Sequence, residues 1–338
     1  MRPRGVDGYC VYAAALAAGT RHTRIMLDLS PSLMPSTARP QGAGASAALY
    51  IESNGFPARF DREPFGFSHN LHTLDLFRFD SLVGLAARYA TAPRDYFVAA
   101  AAASAATEFT AVPHSQWTVE EAMQRVDSAA VRVLLKRPEN HDARFRQLLD
   151  SLFEQVMKLR GGLKGERIVR LESAVFVTSA ASITPCHFDP EIAFFAQIEG
   201  RKNYHVYSPS SMSEAELESF YRKGIVSIAE VDLPSRDPKF EHVYPLEAGD
   251  GHHQPQNCPH WVETGADRSI SYSFVFETDA TRARNRTRAC NHFLRRAGVT
   301  PAAPGVSPAR DAAKAAAMRV MFPIRRRVDN LAAKLRKA

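Results

Sequence analysis

What most constrains the fold of this chain is the run of short strand-like segments in its second half. After Gly161-Gly162 come Ile168–Val177, Ile192–Ile198, Tyr204–Tyr207, Glu241–Tyr244 and Ser269–Phe276, rich in β-branched and aromatic residues and separated by turn residues such as Glu199-Gly200. Six or so short strands at close spacing argue for an antiparallel jelly roll or barrel and against a parallel α/β sheet. Helical patterns lie mainly before them. Arg144–Leu159 places Phe145, Leu148, Leu149, Leu152, Phe153, Val156 and Leu159 on one face. Leu82, Leu85, Ala86 and Tyr89 fall at helical spacing, and Val98–Ala106 reads equally as helix or buried strand. Thr118 with Glu121, and Ser213 with Glu216, have the spacing of helix-capping boxes. Leu49 lies in a short strand-like run, Asn54-Gly55 signals a turn, and Pro57 and Pro64 are expected to keep the next segment extended. The fold class expected is therefore mainly β with helical flanks.

Three regions follow: an irregular Pro/Ser/Gly/Ala-rich extension at 1–47, a strand-rich domain at 48–280, and a basic helical extension at 281–338 split by a linker at Pro301–Pro308. Arg2 and Arg4 before the short apolar stretch Cys10–Ala18 loosely imitate a secretory signal, but Asp7 interrupts it, and an unstructured extension is the better reading. No apolar run approaches the ~20 residues of a membrane-spanning helix, so no membrane span is expected. Four dispersed cysteines without a CxxC pair speak against a disulfide framework and fit a reducing cytoplasm. The net charge of +7 is uneven. Residues 281–338 hold 15 Lys+Arg and two acids, a formal +13, which leaves −6 for the remainder. Such a tail could attract nucleic acid or an acidic partner, or be only a solvated face.

The chemistry concentrates in Ile183-Thr184-Pro185-Cys186-His187-Phe188-Asp189-Pro190. Residues two apart in a strand share a face, so His187 and Asp189 could grip a divalent metal from one side. A third ligand must come from elsewhere. Two histidines and one carboxylate leave open positions on the metal, the donor set of non-haem Fe(II) oxygenases. Gly249-Asp250 followed by Pro255 and His260 offers that third ligand. His252 and His253 are alternatives in a poorer register. Cys186 and Cys258 beside the proposed ligands raise a zinc reading.

With these residues in view, the sequence resembles the JmjC and cupin-like 2-oxoglutarate oxygenases, and among them the factor-inhibiting asparaginyl hydroxylase branch. The likeness runs from His187-Phe188-Asp189 through Phe194-Phe195-Ala196-Gln197-Ile198-Glu199-Gly200-Arg201-Lys202 and resumes at 249–277. It implies a double-stranded β-helix and an Fe(II) site of His187, Asp189 and His260. It also implies 2-oxoglutarate held by Lys202 at its distal carboxylate and by Thr184, with Ser273 where the family has an asparagine. Ala193 and Cys258-Pro259 depart from the branch and reshape the pocket. The activity implied is hydroxylation of a protein side chain or small metabolite, and a homodimer through the C-terminal helices would follow the same branch. A second class of function, a non-catalytic cupin-like sensor or regulator whose basic tail binds nucleic acid, fits the tail but not the open metal site. Strand parity sets one puzzle: Thr184 and His187 are three apart, so a bulge at Pro185 is needed to bring them to one face.

Overall fold

The strands pair in two antiparallel sheets that face each other. The structure is a computed structural model and describes residues 46–335 except 101, 103, 109–110, 113–114 and 225–228. The chain divides into two units, Met1–Ser36 and Thr37–Ala338, and every described residue belongs to the second. The expectations for 1–45, including the signal-like stretch, lie outside the described residues.

The strands are β1 (Leu49–Tyr50), β2 (Phe65–His69), β3 (Tyr96–Ala100), β4 (Val131–Lys136), β5 (Ile168–Thr178), β6 (Ile183–Phe188), β7 (Ile192–Glu199), β8 (Lys202–Tyr207), β9 (Ala229–Glu230), β10 (Glu241–Leu246), β11 (Asp250–Gln254), β12 (His260–Thr264) and β13 (Ser269–Thr278). The helices are α1 (Phe56–Arg59), α2 (Phe79–Ala87), α3 (Val119–Arg125), α4 (Ala143–Arg160), α5 (Glu214–Tyr221), α6 (Asp279–Arg296) and α7 (Pro308–Leu335). One sheet runs β1-β2-β11-β7-β13-β5-β4-β3 and the other β10-β8-β12-β6-β9. This is a jelly roll of the double-stranded β-helix type with helical flanks, mainly β as the strand pattern requires.

Two expectations need correction. Helices do not simply precede strands: β1 to β4 lie in the N-terminal half, and β2 and β4 extend the larger sheet at both ends. The segments that form β2 and β4 escape period-2 reading because their pairing is decided by strands far along the chain. Pro57 does not hold the chain extended; it sits in the first turn of α1, where its missing N–H costs nothing. The capping boxes at Thr118/Glu121 and Ser213/Glu216 both form.

Alternation along β13 shows how the sheet is used. Ile270, Tyr272, Phe274 and Phe276 join the main core with Phe194, Ala196 and Ile198 of β7 and with Leu82, Phe145, Leu149, Leu152 and Val156 of the helices. Burying each such side chain contributes about 1.5–3 kcal/mol. The intervening Ser269, Ser271 and Ser273 turn the other way, into the space between the sheets. There Phe195, Tyr204, Val206, Leu246, Cys258 and Val262 form a second, smaller cluster. Gly200 makes the β7–β8 turn with φ +71°, and a Cβ there would collide with the Arg268 carbonyl, so the residue has to be glycine.

Helices α5, α6 and α7 pack behind β6. Phe188 sits with Leu217, Tyr221, Ala289 and Met318 in a third cluster. The basic C-terminal residues are partly neutralised there: Arg288 pairs with Glu214, Arg295 with Glu218 and Arg282 with Glu277. On α7, Val320, Met321 and Ile324 stay exposed.

Candidate metal and cosubstrate site

The site begins at a β-bulge. On β12, His260 stands opposite His187 of β6, and Val262 opposite Thr184. Two residues of β12 are thus matched by three of β6, so β6 carries one extra residue between Thr184 and His187. Thr184 and His187 therefore share the inner face despite being three apart. The bulge falls at Pro185-Cys186, where proline has no N–H to lose from the ladder.

His187 and His260 are 6% and 3% exposed, and their ring centroids lie 4.1 Å apart. His260 Nε2 is 3.7 Å from Asp189 Oδ2. One donor atom each from His187, Asp189 and His260 lies within 4.8 Å of the others. A cation about 2.0–2.2 Å from each such donor joins atoms up to roughly 4 Å apart, so small side-chain adjustments close the three around one ion. Asp189 lies just beyond the end of β6, so the loop rather than the strand sets its direction.

Both imidazoles are set for coordination. His187 Nδ1 is 2.7 Å from the Pro185 carbonyl and His260 Nδ1 is 3.1 Å from the Cys258 carbonyl. A carbonyl can only accept, so each Nδ1 carries the proton and each Nε2 presents a lone pair. Burial holds the pKa of His187 below the ordinary histidine value. Burial, with the nearby His187 ring, holds His260 well below it. Two neutral nitrogens and one carboxylate match a divalent metal with open positions.

The loop between β11 and β12 fixes Asp189. Asn257, at φ +62°, donates its backbone N–H to the Asp189 carbonyl at 3.0 Å, and its side chain accepts from the Tyr221 hydroxyl. Gln256 Nε2 donates to the Pro190 carbonyl. Asparagine tolerates the left-handed conformation this loop needs. Sequence reading passed over both residues; the signal was a polar stretch between two inner strands.

Lys202 enters the inter-sheet space from β8. It is 5% exposed, and Nζ donates to Ser271 Oγ at 2.9 Å. Ser271 in turn donates to Gln197 Oε1. Lys202 thus rests on Ser271, two residues before the expected Ser273 on the same face of β13. Ser273 lies opposite Phe195. The Phe176 and Phe195 rings flank Nζ, and no carboxylate lies within ion-pair distance of it among the described residues. Burial, with a contribution from Arg132, lowers its pKa to about 7. Such a cation suits an anionic group delivered by a ligand.

The other candidates separate clearly. His253 faces the main core, its Nδ1 on the Ala193 carbonyl and its Nε2 accepting from the Asp61 N–H. His252 faces inward beside Tyr204, fully buried, with neither ring nitrogen hydrogen-bonded. Neither joins the three converging donors. Cys186 and Cys258 do not join them either, which removes the basis of the thiolate-zinc reading. Burial pushes the Cys186 thiol up to about 12 and Cys258 well above its ordinary value, so neither is a thiolate at neutral pH. Tyr204, missed in the sequence, stacks on His260 and donates to Gln254 Oε1.

Residues 144–283 match the JmjC domain family model. The matched stretch contains the converging triad, Lys202 and Ser271, and starts at α4, the helix packed on the large sheet. Among solved structures, the chain is similar to the Escherichia coli ribosomal oxygenase YcfD in complex with cobalt and 2-oxoglutarate, at 17% identity and TM-score 0.48, over 81% of this chain and 67% of that one. Another structure of Escherichia coli YcfD matches at 16% identity and TM-score 0.47, over 81% and 68%. No curated protein matches the sequence. Among the described residues, no helix is long and apolar enough to cross a membrane.

Proposed function

We propose that this chain, whose residues 144–283 match the JmjC domain model, is an Fe(II)- and 2-oxoglutarate-dependent oxygenase that hydroxylates a protein side chain or a small metabolite. The observation that carries the reading is the convergence of His187, Asp189 and His260 on one point in the same interior that holds the buried cation Lys202. His187, Asp189 and His260 would hold the metal from one side, Lys202 would face the distal carboxylate of the cosubstrate, and Thr184 would add a hydroxyl from the inner face of β6. Bound iron and 2-oxoglutarate together supply oxidising power drawn from O₂. The protein's share is to orient and shield. Phe195, Val206 and Val262 line the interior with apolar surface, and the Nδ1 hydrogen bonds keep both imidazoles in the ligating tautomer.

The test is isotopic. Purified protein with Fe(II), 2-oxoglutarate and ¹⁸O₂ is expected to place one labelled oxygen in succinate, and one in the hydroxylated product when the right acceptor is supplied. Protein that binds Fe(II) yet never converts 2-oxoglutarate to succinate, alone or with cell extract, would favour the sensor reading instead. For the C-terminal helices, the proposal is self-association through exposed Val320, Met321 and Ile324 of α7. Light scattering is expected to show a dimer for the intact chain and a monomer for Ile324→Glu; salt-sensitive nucleic-acid binding by a monomeric chain would replace that proposal.

A further inference from the structure

Arg132 is a second buried cation in this interior, and nothing in the sequence marked it. On β4 its neighbours Val131, Val133 and Leu135 join the main core, so Arg132 turns to the opposite face, toward the space between the sheets. It is 8% exposed. Nη1 donates to the Ile183 carbonyl at 3.0 Å, across to the smaller sheet, while Nε has no partner. Among the described residues no carboxylate pairs with it. Its position relative to Lys202 follows from register. Arg132 lies opposite Thr178 on β5; Thr178 Oγ1 is 3.2 Å from Thr264 Oγ1 on β12; and Thr264 lies opposite Lys202 on β8. Arg132 and Lys202 thus stand on either side of one threonine pair, and Arg132 reaches β6 at Ile183, next to Thr184.

Two buried cations without an acid between them are costly in an empty protein. Burial lowers the pKa of Arg132 to about 10, with no carboxylate opposing the shift, and the same guanidinium depresses Lys202. A structural role would be served by an ion pair, as Arg170 makes with Glu191 and Glu172. A guanidinium with an unused N–H in the same interior as an ammonium, across one threonine pair, instead suits a planar carboxylate, which can accept from both.

We infer that Arg132 and Lys202 form a two-pronged clamp on the distal carboxylate of the cosubstrate, with Arg132 the positioning residue that sets its orientation and makes the site demand a dicarboxylic 2-oxoacid. The inference rests on the proposed function and narrows its cosubstrate pocket.

The test is calorimetric titration of 2-oxoglutarate and of 2-oxopentanoate, which lacks the distal carboxylate, into the full chain loaded with Ni(II), which binds without turnover. Arg132→Met and Arg132→Lys are compared with wild type, and retained Ni(II) affinity reports that each variant is folded. Loss of one charge-assisted hydrogen bond should weaken 2-oxoglutarate roughly 10- to 100-fold in Arg132→Met. Arg132→Lys should recover part of that loss, and 2-oxopentanoate should bind all three proteins alike. The clamp is overturned if Arg132→Met binds 2-oxoglutarate like wild type, or weakens both acids equally. Wild-type protein that takes up Ni(II) but binds neither acid would overturn the proposed cosubstrate and the clamp together, which sets that failure apart from failure of Arg132 alone.

Discussion

Asp189→Ala is expected to abolish Fe(II) binding and with it all 2-oxoglutarate turnover. The two histidines are neutral and supply no charge, so Asp189 is the one anionic donor among the three groups. Its removal leaves two imidazoles at 4.1 Å between centroids and takes away the third of the converging donors. Removal of a supporting neighbour of a metal site already costs 10- to 100-fold in affinity; loss of the only charged ligand should exceed about 10³-fold. Anaerobic titration of Fe(II) followed by 2-oxoglutarate should produce a visible charge-transfer band in wild type and none in Asp189→Ala. The fold should survive, because Asp189 is held through its backbone carbonyl by Asn257, and alanine keeps that bond. A band of undiminished strength in the variant would remove Asp189 from the site.

The second large effect concerns Lys202. Lys202→Met should raise the 2-oxoglutarate concentration for half-saturation by about 100-fold or more, since a buried carboxylate would lose its ammonium partner while keeping its own desolvation cost. Wild type should also bind with a definite pH dependence. The groups around Nζ are Ser271, the Phe176 and Phe195 rings and the more distant Arg132. Burial brings Lys202 to about 7, so below that pH the ammonium is present, and above it the empty site holds a neutral amine. A bound carboxylate favours the ammonium and raises the pKa again. Affinity should therefore fall as pH rises through 7, with up to one proton taken up per ligand bound; calorimetry in buffers of different ionisation enthalpy reads this directly. The linkage to folding has the opposite slope. The unfolded lysine titrates near its ordinary 10.5, so between about 7 and 10.5 the unfolded chain binds the extra proton. The ligand-free protein should gain stability across that window as pH rises and be weakest below it, where an unpaired ammonium must be buried. Melting temperatures that are flat from pH 6 to 9 in wild type and in Lys202→Met alike would contradict this.

The triad shows what local pattern can convey. His187 and Asp189 sit two apart beside a strand, and His260 follows a Gly-Asp turn and a proline; such spacings are dictated by backbone geometry and stay visible in one dimension. Lys202 became a candidate only through the resemblance to the 2-oxoglutarate oxygenases, by its place 13 residues after Asp189. Ser271 was not legible, because choosing between Ser271 and Ser273 requires the register of β13 against β7 and the side from which Lys202 arrives. The bulge at Pro185-Cys186 was anticipated from a parity conflict, but only pairing with β12 decides where the extra residue goes.

By itself the sequence determined the antiparallel β character, the helix caps at Thr118 and Ser213, the amphipathic α4 and the His187/Asp189 pair as candidate ligands, since each depends on contacts within a few residues or on a short periodic pattern. Tertiary structure alone decided that β2 and β4 extend the larger sheet, that the C-terminal helices brace the outer side of β6 at Phe188, that Asn257 steadies Asp189, and that Arg132 shares an interior with Lys202. These depend on which distant strands become neighbours. That choice is settled by packing the whole core at once, and a buried arginine on β4 carries no local mark of the lysine 70 positions further along the chain.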